Sequence, residues 1–305
     1  MAQSFVRYWI QDPFWGAMDY LTIGSLRLMP VATASNLGAR LGALAGRTRF
    51  SNLDARLMGN LRRIAPEKSE AEHRDIAARM WPELGRTLVE ITMLDRMRSP
   101  DHYEIDGREN FTRHVGSDRA RIFLFPHLAN WELLGVGVQS LGFEVFTIIE
   151  QMRNRFQRAL IRRARTDVAY TQITPDFAGM RRIHTILARG GNVSFGMDEF
   201  IDSNVISPPF GREINALTNI ERAVKLAQRY DALLLPAWCE RLEGVRFRFH
   251  FEPAIEVPKQ GDPDAQAAAT VATIVGLLES WIRRRPEQWY MLHRMRLREP
   301  TAKAE

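Results

Sequence analysis

One histidine of this chain lies where a side chain can act as a base. His127 follows a short apolar run, residues 122–125, which ends at Pro126. Such a run is typical of a buried strand, and α/β sheets bind ligands beyond the carboxyl ends of their strands. Neutral imidazole is the side chain best matched to removing a proton near pH 7. The segment therefore indicates proton abstraction from a substrate group.

Glu132 is the candidate partner of this histidine in the sequence. Five residues of continuous helix turn through about 140°, so the pair would not share a helix face. If His127 lies in a strand-to-helix loop and Glu132 in the first helical turn, the two can face each other. A carboxylate on the second ring nitrogen would fix the tautomer and stabilise the imidazolium. A hydroxyl activated in this way could attack an acyl carbonyl with no enzyme nucleophile.

Several familiar catalytic patterns are missing from the sequence. It contains no glycine-rich loop ending in Gly-Lys-Ser/Thr, no helix with two histidines around a glutamate, and no G-x-S-x-G segment. The single cysteine, Cys239, excludes an internal disulfide. With one cysteine and scattered histidines we expect no metal site and no cofactor.

The apolar pattern predicts helices first and strands later. Helices are predicted at 48–64, from 69 through 80, and at 82–97, 131–141, 154–165, 176–189, 218–228 and 265–285. Strands are predicted at 122–125, 143–149, 192–197, 233–238 and 245–251. This order predicts an α/β fold in which a single mixed sheet is flanked by helices, after a helical N-terminal extension. We place the boundaries at residues 1–45, 46–298 and 299–305.

The charge balance favours a membrane or a phosphorylated substrate as the partner. Lysine and arginine number 42 against 36 acidic residues, a net charge of +6. The basic residues are not interleaved with aromatic ones as base stacking requires, so we expect no nucleic acid. The longest uncharged stretch near the N-terminus, residues 28–39, is too short to span a bilayer. Apolar residues at helical spacing in 14–29 fit either a helix packed on the core or one lying in the membrane interface.

Charged residues near the predicted strand ends form a second group of candidates. Glu150 closes the second strand, and Asp198 and Glu199 close the third, at the sheet edge expected to present His127. They would position the acceptor, support the catalytic pair, or simply cap the strands. Four arginines of 155–165 share one helix face, which is either a solvated face or a phosphate-binding surface.

Six segments carry a resemblance to a known family. Residues 125–133, FPHLANWEL, resemble the H-x4-D/E block of lysophospholipid-type acyltransferases, and specifically that of the bacterial lipid A late acyltransferases. Similar segments follow the family's order at 60–66, 153–163, 190–198, 209–218 and 286–294. The likeness spans roughly residues 50–295. One departure is Glu199, where the family usually has glutamine after the aspartate.

The resemblance implies a fold like that of glycerol-3-phosphate and lysophospholipid acyltransferases. Residues 46–298 would form the acyltransferase domain, and residues 1–45 would associate with the cytoplasmic face of the bacterial inner membrane. It also implies transfer of a fatty acyl chain from acyl-acyl carrier protein, or from acyl-CoA, to a hydroxyl of a lipid A precursor. His127 and Glu132 would be catalytic. The substrate-binding candidates are Asn130, Glu150, Asn154, Arg165, Asp198, Glu199 and Arg212.

Other functions remain open from the sequence. The same chemistry could serve another glycolipid or a lysophospholipid, with acyl-CoA as donor. A thioester hydrolase would release free fatty acid without an acceptor. A non-catalytic peripheral protein would bind anionic membrane through its basic surface and would not need His127.

Overall fold

The computed structural model describes residues 5–148, 154–166, 170–213, 217–293 and 296–297. In this part of the chain, helices occupy nearly all of the first hundred residues and then alternate with strands. The helices are α1 Asp12–Arg27, α2 Val31–Thr48, α3 Asp54–Ile64, α4 Glu70–Glu90, α5 Arg108–Thr112, α6 Leu133–Ser140, α7 Arg155–Thr166, α8 Phe177–Ala188, α9 Asn219–Tyr230 and α10 Pro263–Arg284.

Nine strands lie in the described residues: β1 Tyr103–Asp106, β2 Arg121–Phe125, β3 Val145–Ile148, β4 Tyr170–Ile173, β5 Asn192–Gly196, β6 Glu199–Ile201, β7 Asn204–Ser207, β8 Leu233–Glu243 and β9 Arg246–Phe251. Seven of them form one mixed sheet in the order β1-β9-β8-β2-β5-β3-β4. Neighbouring strands of this sheet are parallel except β8 and β9, which are antiparallel. A separate antiparallel pair is formed by β6 and β7. The predicted α/β class and helical N-terminal extension are confirmed.

The central strand β2 separates two hydrophobic cores. Ile122 and Leu124 pack into one core, with α9, α10 and parts of α3 and α4, while Phe123 packs into the other. This alternation follows from the two-residue period of a strand. Helices cover both faces of the sheet, and β2 is therefore buried on both sides.

Helices α2 and α4 lie unusually close because glycines line their contact. A Cβ atom on Gly85 would lie 2.1 Å from the carbonyl oxygen of Gly38, and one on Gly42 would lie 2.2 Å from the carbonyl oxygen of Trp81. Gly38, Gly42 and Gly46 are four residues apart, so they fall on one face of α2. The small-residue stripe lets the two backbones touch.

Two predictions about the helices were wrong. The sequence analysis separated helices at Pro82, but α4 runs from Glu70 to Glu90 with this proline inside it. A proline removes one backbone hydrogen bond, and the long contact with α2 outweighs that loss. Residues 48–53 also do not belong to α3, since Thr48 ends α2 and α3 begins at Asp54. Ser69 and Glu72 form a capping box at the start of α4.

The outer surface of the N-terminal helices is apolar. Among residues 5–28, large side chains with more than half of their surface exposed are Phe5, Val6, Trp9, Ile10, Phe14, Trp15, Leu21 and Leu28. By length and composition α10 is the one helix of the described residues that could cross a membrane, but Ile274, Leu278 and Ile282 pack it into the core.

Candidate active site

Two neighbouring parallel strands bring His127 and Asp198 together. Phe125, the last residue of β2, pairs with Gly196, the last residue of β5. The pairing extends one step further, because the Met197 amide donates to the carbonyl oxygen of Phe125 over 2.8 Å. His127 and Asp198 each follow their strand by two residues, so they leave the same edge of the sheet side by side.

Asp198 is bound to both the backbone and the ring of His127. The ring nitrogen Nδ1 lies 2.7 Å from Asp198 Oδ1, and the His127 amide donates to both carboxylate oxygens over 3.1 Å. The indole Nε1 of Trp289 donates to Oδ2 over 2.9 Å. Three N–H groups therefore converge on one buried carboxylate. This arrangement fixes both the position and the rotation of the imidazole.

The contacts of Asp198 determine its charge and the tautomer of the histidine. Burial alone would raise the pKa of this carboxyl, but the charge of His127 and the hydrogen bonds from His127 and Trp289 together lower its pKa below the usual range. An ionised carboxylate only accepts hydrogen bonds, so Nδ1 of His127 carries a proton. In the neutral ring, Nε2 then holds the lone pair that can accept a proton.

The carboxylate predicted to contact the histidine ring is that of Glu132, whereas Asp198 occupies Nδ1. Glu132 was favoured because it is near in sequence, but the parallel pairing of β2 and β5 brings in a residue 71 positions away. Glu132 lies at the N-terminal end of α6 and is buried. It thus starts the helix that follows the histidine loop, as predicted.

The imidazole lies in an aromatic recess. Its ring centroid is 5.0 Å from that of Trp131 and 6.4 Å from that of Tyr290, and 28% of the side chain is exposed. On the β5 side the neighbour is Gly196, where a Cβ atom would lie 3.2 Å from His127 Cε1. The ring is therefore reachable from solvent but confined from several directions.

Four other predicted site residues make structural contacts within the protein. Asn154 caps α7, since its Oδ1 accepts from the Phe156 amide, and its Nδ2 donates to the carbonyl oxygen of Asp12. Glu199 accepts from the Asn219 amide at the start of α9.

The other two of these residues also contact the protein itself. Arg212 donates to the carbonyl oxygens of Pro208 and Pro209 in its own loop. Asn130 is fully buried and donates to Glu90 of α4. Glu150 and the side chain of Arg165 lie outside the described residues.

The apolar side chains that follow His127 in the sequence belong mostly to the two cores. Leu128, Leu133 and Leu134 are buried in the two cores, while Trp131 contacts the histidine ring. The sequence analysis gave no role to Trp289, Tyr290 or Gly196. Trp289 lies in segment 286–294, which resembles the family pattern. That resemblance is the signal that could have identified Trp289, because residue spacing alone gives it no role.

Cys239 cannot serve as a nucleophile in its present surroundings. It is fully buried in β8, and burial raises the pKa of its thiol. Since the thiolate is the reactive form, this cysteine is inert. Among the described residues, no group of three histidine, cysteine or acidic side chains could hold a metal ion.

Comparison with known proteins gives one match that covers nearly the whole chain. The sequence profile described as bacterial lipid A biosynthesis acyltransferase matches residues 4–298. No curated protein sequence matches. Among solved structures, the 1-acyl-sn-glycerophosphate acyltransferase PlsC from Thermotoga maritima is similar at 12% identity and a TM-score of 0.41, covering 83% of this chain and 96% of that one.

Proposed function

Because the chain belongs to the bacterial lipid A biosynthesis acyltransferase family, it is an O-acyltransferase, and we propose that His127 is the base that activates the acceptor hydroxyl. The observation that carries this proposal is the 2.7 Å contact between His127 Nδ1 and Asp198, which holds a partly exposed imidazole and places the lone pair of the neutral ring on Nε2.

In the proposed reaction the acyl group passes directly from the donor thioester to the acceptor hydroxyl. Nε2 takes the proton of the acceptor hydroxyl as its oxygen attacks the carbonyl carbon of the donor thioester. The tetrahedral intermediate then collapses, the carbon–sulfur bond breaks, and the imidazolium returns its proton to the departing sulfur. Asp198 stabilises the imidazolium between these two transfers. The products are an ester and a free thiol, and the histidine is restored.

Direct transfer without an acyl-enzyme is supported by the surroundings of His127. Its described hydrogen-bond partner is a carboxylate, and the chain's single thiol is buried with a raised pKa. We retain Glu132 in the proposal as a second buried carboxylate, at the far end of the histidine loop, which supports the charge that forms on the ring. Glu150 and Arg165 stay proposed acceptor-binding residues.

We propose acyl-acyl carrier protein as the donor, with acyl-CoA as the alternative, and a lipid A precursor as the acceptor. The acceptor would be approached from the cytoplasmic face of the inner membrane. This location is supported by the exposed apolar side chains of residues 5–28, which suit insertion into a membrane interface, and by the net charge of +6.

The test of this function is acyl transfer by purified protein. Labelled acyl-acyl carrier protein or acyl-CoA is incubated with a lipid A precursor, a lysophospholipid, or no acceptor. The proposal predicts labelled lipid A product, with kcat reduced about 10²- to 10⁴-fold in His127→Ala. His184→Ala is the matched control, because His184 lies on α8 and contacts Tyr230. Equal activity in His127→Ala and the control would contradict the proposal, as would free fatty acid formed without acceptor.

A further inference from the structure

The loop that presents His127 contains a strained residue. Ala129 has a φ of 49°, in the left-handed region, where a side chain clashes with its own backbone. Residues without glycine's freedom hold such conformations only when the surrounding structure imposes them. Ala129 is buried, two residues after the histidine. The conformation that aims His127 is therefore imposed by contacts from elsewhere in the protein.

Two contacts hold the backbone of Ala129 on opposite sides. Its amide donates to the carbonyl oxygen of Gln288 over 3.0 Å, and its own carbonyl oxygen accepts from the hydroxyl of Thr87 over 3.2 Å. The next residue is also tied down, since Asn130 Nδ2 donates to Glu90 Oε2 over 3.3 Å. The loop is thus held by α4 and by the segment that also carries Trp289.

These separate contacts meet at one residue, Arg241 of β8. Its guanidinium donates to the Thr87 hydroxyl over 3.1 Å and to both carboxylate oxygens of Glu90 over 2.6 and 2.9 Å. Its amide donates to Gln288 Oε1, and its carbonyl oxygen accepts from Gln288 Nε2, both over 3.0 Å. Arg241 therefore touches every residue that holds Ala129 and Asn130.

Arg241 and the side chains that it contacts form a buried ionic cluster. Removing these charges from water costs desolvation energy. Glu90 is fully buried, and the side chain of Arg241 is 2% exposed. Glu83 adds a second carboxylate at 2.6 Å, and the Ser35 hydroxyl of α2 donates to Glu90. Buried ion pairs contribute little net stability compared with apolar packing, and in some proteins they instead fix one specific geometry. We attribute the presence of this cluster beside the strained loop to the conformation of Ala129 that it enforces.

We propose that Arg241, acting through Thr87, Glu90 and Gln288, is a positioning residue that holds Ala129 in its left-handed conformation and so aims His127 at the acceptor hydroxyl. This inference rests on the proposed role of His127. Arg241 contacts no substrate in this account. Its effect is on the placement of the imidazole, which changes the rate of the chemical step and not the binding of either substrate.

The test uses Thr87→Val, because replacing Arg241 itself would leave buried carboxylates unpaired and endanger folding. Valine keeps nearly the shape of threonine and leaves the Arg241–Glu90 ion pair intact, but it can neither donate to the carbonyl oxygen of Ala129 nor accept from Arg241. The matched control is Thr270→Val, since Thr270 is a buried residue of α10 whose hydroxyl donates to the Gln266 carbonyl oxygen. A second control, Thr87→Ser, restores the hydroxyl.

We expect Thr87→Val to lower kcat about tenfold, the effect of one buried hydrogen bond, while KM for donor and acceptor stays at the wild-type value. Thr87→Ser and Thr270→Val should keep kcat within about twofold, and Thr87→Val should melt below Thr270→Val because it leaves the Ala129 carbonyl and one Arg241 N–H unpaired. An unchanged kcat in Thr87→Val, or a loss confined to KM, would overturn the inference. If His127→Ala abolishes transfer while Thr87→Val does not lower kcat, the inference fails and the proposed function stands. If His127→Ala is active, the function itself fails.

Discussion

The imidazole of His127 owes its properties to a residue that is remote in sequence. Asp198 follows β5 and reaches the ring because β5 pairs with β2 in parallel. Sequence spacing pointed to Glu132, since local spacing is all that a single sequence displays directly. The strand-end argument did place Asp198 at the correct edge of the sheet. The sequence does not show which strands are neighbours in the sheet. The contact between His127 and Asp198 depends on the pairing of β2 with β5.

Gly196 is the residue that leaves room for the imidazole. A Cβ atom there would lie 3.2 Å from His127 Cε1, closer than such atoms normally approach. We expect Gly196→Ala to displace the ring by a few tenths of an ångström and to lower kcat by about three- to tenfold, because proton transfer depends on sub-ångström placement. Steady-state kinetics of acyl transfer would measure this loss of kcat. Gly211→Ala is unsuitable as a control because Gly211 has a φ of 76°. Gly276→Ala on α10, where a Cβ atom meets nothing within 4 Å, should keep the wild-type rate.

The carboxylate of Asp198 should make stability depend on pH. Its pKa is lowered in the folded protein, so it stabilises the fold above the ordinary aspartate pKa of about 3.9, and this contribution is lost as pH falls through the lowered value. Asp198→Asn should therefore reduce the free energy of unfolding at pH 7, and its difference from wild type should narrow below about pH 4. Urea titrations of Asp198→Asn and of the wild type at pH 7 and pH 3 would measure these free energies of unfolding.

The control for this pH dependence is Asp176→Asn. Asp176 also has a lowered pKa, from the hydrogen bonds of Gly179 and Thr174, but it is an exposed N-cap that asparagine can replace. We expect this variant to lose little stability at either pH. A difference between Asp198→Asn and wild type that is the same at pH 7 and pH 3 would show that the carboxylate is not ionised in the fold.

At the scale of elements, the interior strands of the seven-stranded sheet were predictable and its edge strands were not. Continuous apolar runs revealed β2 and β8, whereas β1 and β4 are four-residue edge strands with polar positions, and the β6–β7 pair was also missed. Pro82 predicted a helix boundary because proline usually ends a helix. Here α4 continues through it, held against α2 along the glycine contact.

Alanine substitutions at two helical glycines should have opposite effects on stability, because only one of these glycines lies in the contact of α2 with α4. Gly85→Ala would place a Cβ atom 2.1 Å from the Gly38 carbonyl oxygen, so the helices must separate, at a cost of about 1–3 kcal/mol. Gly59→Ala on α3 meets nothing within 4 Å and should stabilise the protein by about 0.5–1 kcal/mol. Thermal or denaturant unfolding would measure both. Equal effects of the two variants would mean that α2 and α4 do not pack as described.

At the scale of the whole molecule, the apolar surface of residues 5–28 distinguishes two readings that the sequence left open. The helical spacing fitted either a core-packed or an interfacial helix. Phe14, Trp15 and Leu21 are more than half exposed, and Arg155 of α7 stacks its guanidinium 3.8 Å from the Tyr8 ring centroid. The segment thus packs on the domain through one side and presents a broad apolar side outward, which favours the interfacial reading.

This surface predicts membrane binding that depends on its aromatic residues. We expect the triple variant Trp9→Ser, Phe14→Ser and Trp15→Ser to bind anionic phospholipid vesicles at least about tenfold more weakly than wild type, because three large apolar side chains no longer enter the interface. Vesicle co-sedimentation would measure it. Phe177→Ser is the control, since Phe177 is more exposed than these three residues but lies on α8. Equal vesicle binding by the triple variant and the control would contradict the interfacial placement.

The most direct test of the account is a double-mutant cycle on His127 and Asp198 in the acyl-transfer assay. If Asp198 acts by holding the imidazole, Asp198→Asn lowers kcat at least about 100-fold, and adding it to His127→Ala causes no further loss, since the ring on which it acts is already gone. Glu132→Gln, placed in the same cycle, shows whether the second carboxylate also acts through the ring. A further fall in kcat when Asp198→Asn is added to His127→Ala, or full activity in Asp198→Asn alone, would contradict the claim.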